Sequence, residues 1–151
     1  MGSYVLVDMK QSRVAASVRL YLFFSMNDAG IYTYGPFNQN YNDRLPCDIK
    51  IYASNDANDD AGWVLLGNYY TNPNEPAANG WGNSYVGPLK TKEQMDAIDP
   101  RYCEVVFKLS EDTYRFLKVQ VDDVFNTNPI FSNMNENVSY HELEVYVKKE
   151  N

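Results

Sequence analysis

Two stretches of the chain carry side chains that could hold a ligand. The segment YTYGPFNQNYNDR, residues 32–44, sets Tyr34 and Phe37 among Gly, Pro, Asn and Gln and closes on Asn42 and Arg44. The segment TNPNEPAANGWGNSYVGP, residues 71–88, carries Trp81, Asn83 and Tyr85. Aromatic rings offer flat apolar faces, while a guanidinium and carboxamides offer donors and acceptors in fixed directions. A pyranose presents the complementary pair, a C–H-rich face and a rim of hydroxyls, so stacking combined with hydrogen bonding is the chemistry these residues could do. The same residues have a structural use. Loop aromatics can pin a long excursion onto its own frame, and Arg44 can pair with Asp43 or another acid, a surface contact that stabilises little. Both uses stay open at the level of sequence.

Other chemistries find less to work with. SNDANDDAG alternates Asp56, Asn58 and Asp60 like calcium ligands, but the EF-hand pattern needs Gly in the sixth position and Glu in the twelfth, where Ala61 and Gly67 stand. A solvated turn is the expectation. His141 is the single histidine and has no Ser or Cys motif to serve. Glu142 and Glu144 lie two apart, which puts them on one face of a strand, yet that spacing alone does not define a glycosidase pair. Cys47 and Cys103 lack metal-ligand spacing and read as free, buried thiols. The sequon Asn137-Val138-Ser139 is one three-residue match. No enzyme is expected.

The elements that must position the two loops are strands. In VAASVRLYLFF, residues 14–24, Val18, Leu20, Leu22 and Phe24 alternate with Ser17, Arg19, Tyr21 and Phe23. Cys47, Ile49, Ile51 and Ala53 alternate with Asp48, Lys50, Tyr52 and Ser54 in the clearest strand of the chain. A turn then leads into WVLLGNYY, where Trp63 reads as core. CEVVFKL, YRFLKVQV and YHELEVYVKK follow, with Val105, Phe107 and Leu109, then Leu117, Val119 and Val121, then Leu143, Val145 and Val147 as the inward sets. TKEQMDAI, opened by Thr91 as N-cap, is the one short helix expected. Seven or so strands, long polar loops and almost no helix predict an all-β fold, a two-sheet antiparallel β-sandwich.

Composition bounds the partners. The 151 residues suit one domain, residues 1–151. YVLVDM begins almost at once, so the chain reads as excised from a larger protein. A net charge of −7 and a pI of about 4.6 oppose binding to nucleic acid or anionic lipid. With 13 basic residues against 20 acids, a lipid-binding spike ringed by Lys and Arg is not supported. No apolar run is long enough for membrane insertion by a helix.

The order YVLVDM, VAASVRLYL, RLPCDIKIYASND, GWVLLGNY, YRFLKVQV and HELEVYV resembles the galactose-binding-like, discoidin or coagulation factor 5/8 type C domains over nearly the whole chain. That resemblance implies a jelly-roll sandwich with recognition in loops gathered at one end. In carbohydrate-binding relatives an Asn-Gly-Arg supplies an arginine to sugar hydroxyls, and Asn42-Asp43-Arg44 occupies that place here, with Asp43 for Gly. The family's opening segment, often part of a structural calcium site completed by a late carboxylate such as Glu142, is absent, so no cofactor is expected, with a structural calcium at Glu142 as the alternative. One sandwich edge is expected to lack its partner strand. The Asn-rich style is similar to modules of surface lipoproteins in gut Bacteroidetes, which implies an extracellular, outer-membrane or periplasmic location. The expectation is a non-catalytic carbohydrate-binding or cell-surface recognition module, its partners a glycan and the neighbouring domains of its parent. A structural module that spaces or docks those domains is the alternative.

Overall fold

The structure, a computed structural model, describes residues 3–21, 46–71, 102–124 and 142–150. These residues form seven strands: β1 (Ser3–Arg13), β2 (Ala15–Tyr21), β3 (Pro46–Ser54), β4 (Val64–Tyr70), β5 (Tyr102–Val106), β6 (Tyr114–Val124) and β7 (Glu142–Val147). β1-β6-β3-β4 make one antiparallel sheet and β5-β2-β7 the other. The sheets face each other across a single core, the β-sandwich expected from the alternating pattern.

Alternation explains the core directly. In β3 the residues Cys47, Ile49, Ile51 and Ala53 are fully buried, and in β6 Leu117, Val119 and Val121 lie beside them. Val18 and Leu20 of β2, with Cys103, Val105 and Phe107, close the core from the other sheet. Burying each large aliphatic side chain contributes on the order of 1.5–3 kcal/mol, which makes β2, β3 and β6 the energetic spine. Gly67 of β4 pairs with Ile51 and faces the opposite sheet, where a Cβ would stand 2.8 Å from Phe107 Cδ1 and 3.2 Å from Val105 Cγ1. Glycine lets the sheets close at that point. Both cysteines are free and buried, and burial pushes each thiol up to about 12.

Chain direction decides where the excursions attach. β1 ends at Arg13 and β2 begins at Ala15, so those two strand ends lie at one end of the sandwich. Strand direction and register then fix the opposite end. Tyr21 pairs with Tyr102 and Glu142 in one sheet, Pro46 pairs with Val124 and Asp48 with Tyr70 in the other, and the Thr71 amide donates to the Cys47 carbonyl at 2.8 Å. The segments 22–45, 72–101 and 125–141 therefore all leave and rejoin the sandwich at the same end.

At the other end the links are short and tied down. Asn55 Oδ1 accepts from Ser12 Oγ at 3.1 Å and from the Arg115 amide at 3.0 Å, while its amide nitrogen donates to the Thr113 carbonyl. Asp8 accepts both Arg115 Nε at 2.9 Å and Nη2 at 3.0 Å, a bidentate pair that ties β1 to the start of β6. The same carboxylate accepts the Lys10 amide, which helps hold Lys10 at φ 68° where β1 is irregular between Asp8 and Arg13.

Several expectations are corrected. Trp63 is not core: it precedes β4, is half-buried on the surface, and donates from Nε1 to the Asn58 carbonyl at 2.9 Å. Leu109 is fully exposed because β5 stops at Val106 and Phe107 is the last residue to reach the core. Val147 is 41% exposed at the end of β7, whereas Leu143 and Val145 pack on the core. Period two assigns a face but cannot say where a strand ends. Among the described residues β1 has β6 as its one strand neighbour, and Val5, in register with buried Val119, is 43% exposed. The expected helix at TKEQMDAI, with Leu22, Phe24 and His141, lies outside the described residues.

Candidate functional site

All seven expected ligand residues, Tyr34, Phe37, Asn42, Arg44, Trp81, Asn83 and Tyr85, lie outside the described residues. Their segments are nevertheless fixed at their bases. Segment 22–45 springs from Tyr21 and returns at Pro46, and segment 72–101 springs from Thr71 and returns at Tyr102, with all four anchors at one end.

Glu142, the candidate metal ligand, is exposed at the start of β7 opposite Tyr21. Among the described residues no three His, Cys, Asp or Glu side chains converge to hold a metal. The Asp56–Ala61 turn is the solvated turn expected: Asp56 Oδ1 accepts the Asn58 amide at 3.0 Å and Asn58 Nδ2 at 2.8 Å, and the Ala61 amide donates to the Asn58 carbonyl.

Beside that turn, the outer face of the four-stranded sheet holds a caged cation. Lys118 Nζ lies 4.4 Å from the Trp63 ring centre and 4.8 Å from that of Tyr4, with its side chain 12% exposed. Asp59 accepts from the Tyr4 hydroxyl at 3.3 Å and lies 3.6 Å from the ammonium. The rings are occupied by the protein's own cation, which accounts for Trp63 at the surface.

The outer face of the three-stranded sheet carries a more open arrangement that sequence reading did not single out. Strand pairing sets Arg19 between Glu104 and Glu144, and Tyr21 between Tyr102 and Glu142. Arg19 Nε donates to Glu104 Oε1 at 3.1 Å and Nη1 to the Tyr146 hydroxyl at 3.1 Å. Its guanidinium carbon lies 4.2 Å from the Tyr102 ring centre and 4.6 Å from that of Tyr146. Ser17 Oγ donates to Glu104 at 2.8 Å, and Tyr21 donates to Glu144 Oε2 at 3.0 Å, where the Tyr146 hydroxyl donates too. The Tyr146 and Tyr21 hydroxyls hold the Glu144 carboxyl below its usual range. One signal was legible: Ser17, Arg19 and Tyr21 form the outward set of β2, and Glu142 and Glu144 share a face of β7. Their convergence with Tyr102 and Glu104 needed the strand order.

Comparison with protein families finds no match, and neither does comparison with curated proteins. Solved structures do match in fold. The SusE-like protein BT2857 superposes with a TM-score of 0.60 at 12% identity, covering 97% of this chain and 47% of its own. CBM32-3 from a family 31 glycoside hydrolase from Clostridium perfringens superposes with a TM-score of 0.53 at 15% identity, covering 98% of this chain and 68% of its own. This chain thus spans less than half the length of the SusE-like protein, and the likeness is one of fold: an all-β sandwich of two antiparallel sheets.

Proposed function

We propose that this chain is a non-catalytic carbohydrate-binding module of a larger cell-surface or exported protein, reading glycans through the segments that carry Asn42, Arg44, Tyr34, Phe37, Trp81, Asn83 and Tyr85. The observation that supports it most is the common attachment of segments 22–45 and 72–101 at one end of the sandwich, because a rigid frame with variable loops at one end is a recurrent way of building recognition. The matched folds agree with it, one being SusE-like and the other a CBM32 module of a glycoside hydrolase. In this reading the aromatics stack on a pyranose face while Arg44 and the two carboxamides hold its hydroxyls. Neighbouring domains of the parent protein supply any catalysis or anchoring, on a cell surface of the kind found in Bacteroidetes.

Glu144 is disfavoured as a glycosidase general acid on chemical grounds. A glycosidase acid needs its pKa raised to carry a proton near neutrality, whereas two tyrosine hydroxyls keep Glu144 ionised.

The test is a titration of mono- and oligosaccharides against the labelled chain, followed by amide shifts. Shifts in residues 32–44 and 79–86, lost in Trp81→Ala and Arg44→Ala, are expected. Silence of both segments at millimolar sugar sinks the proposal and favours a spacer or docking module instead.

A further inference from the structure

We propose that the outer face of the three-stranded sheet is a second, separate glycan platform, on which a neutral oligosaccharide lies across β5, β2 and β7 over Tyr102, Arg19 and Tyr146. The inference takes its ligand class from the carbohydrate reading but rests on none of the loop residues.

The face has the two kinds of group that a sugar needs. The Arg19 guanidinium lies over the Tyr102 and Tyr146 rings and Tyr21 lies next to Tyr102 with ring centres 5.3 Å apart, so a sugar would meet this row at the ring surface that the guanidinium does not cover. Tyr146 is 38% exposed, so an aromatic edge reaches solvent rather than the core. Three strands at roughly 4.8 Å spacing make the face about 10 Å from the first strand axis to the last, room for more than one ring.

Polar capacity is left over in fixed places. Glu104 accepts Ser17 and Arg19 on Oε1, and Glu144 accepts Tyr21 and Tyr146 on Oε2. Each carboxylate takes these donors on one of its two oxygens, so acceptor capacity remains for sugar hydroxyls. The same network holds the side chains in place before any ligand arrives, which lowers the ordering cost of binding.

Charge selects among ligands. Among the described residues of β5, β2 and β7, Arg19 is the one cation against Glu104, Glu142 and Glu144, which disfavours uronate or sulfated chains. A basic peptide is the competing occupant. It is disfavoured because the guanidinium already takes the cation position over the two rings.

The experiment uses the full chain, labelled for amide and tyrosine-ring signals, with neutral cello-, xylo-, manno- and galacto-oligosaccharides and an oligolysine peptide as probes. Expected are shifts in residues 17–21, 102–106 and 142–147 with at least one neutral oligosaccharide, persisting in a Trp81→Ala/Arg44→Ala double variant. Tyr146→Ala should weaken that binding about tenfold and Tyr146→Phe, which keeps the ring, by less than about twofold. Thermal unfolding of each variant separates a lost site from a lost fold. Shifts confined to the loops, a sheet response to oligolysine alone, or no sheet response would each overturn the platform. Sheet shifts without loop shifts would overturn the loop site and leave the platform standing.

Discussion

Gly67 offers the sharpest test of how the two sheets meet. In Gly67→Ala the new Cβ would lie 2.8 Å from Phe107 Cδ1 and 3.2 Å from Val105 Cγ1, the first shorter than real contacts allow. An aromatic ring packed at 7% exposure cannot swing aside freely, so overpacking should cost about 1–3 kcal/mol. Loss of glycine entropy from the unfolded chain offsets about 0.4–1 kcal/mol of that. The net destabilisation is therefore about 0–2.6 kcal/mol, or a melting temperature lower by up to about 10 °C at about 2–4 °C per kcal/mol for a chain of this size, against a small gain in the control. Gly62→Ala is the control, because nothing lies within 4 Å of its Cβ and only the unfolded-state gain should appear. Trimming the obstacle with Phe107→Leu should make the Gly67→Ala step less costly, a coupling that a double-mutant cycle reads directly. Thermal unfolding of the four proteins and the control measures all of this. If Gly67→Ala is as harmless as Gly62→Ala, or if Phe107→Leu leaves its cost unchanged, β4 does not face β5 as described and the packing argument fails.

Two further outcomes follow from the outer faces. Trp63→Ala should cost about 1.5–2 kcal/mol, from half-burial plus the lost contact with Lys118, and well short of the 3–5 kcal/mol of a core Trp; a larger loss by denaturant melt would return Trp63 to the core. Stability should fall on acidification, because Arg115 lowers the Asp8 carboxyl, Lys50 lowers that of Asp122, and the Tyr146 and Tyr21 hydroxyls lower that of Glu144. Each folded pKa lies below its unfolded value, 3.8 for Asp and 4.5 for Glu, so the contribution is complete above those values and lost as pH drops through the folded ones. Melting temperatures from pH 7 to pH 2 check this, and a flat profile would refute it.

The strands were legible because side-chain alternation is a local property. In β3 the set Cys47, Ile49, Ile51 and Ala53 is written in the sequence and is fully buried in the fold, and the inward sets of β2 and β6 follow the same rule. Errors fell where the rule is silent. Leu109 continues the pattern of β5 but lies past its end, and Trp63 stands where a hydrophobic residue reads as core although Lys118, distant in sequence, holds it at the surface.

By itself the sequence determined which face of β2, β3 and β6 is apolar, and through the Asn, Asp and Gly of residues 55–62 where the chain turns between β3 and β4. Only the tertiary structure decided that β6 lies between β1 and β3, that three long segments attach at one end, and that Arg19 meets Glu104 and Tyr146 across the sheet. The reason is physical: alternation follows from backbone geometry within a few residues, whereas strand order follows from which apolar faces bury best together, a choice made by the whole chain at once.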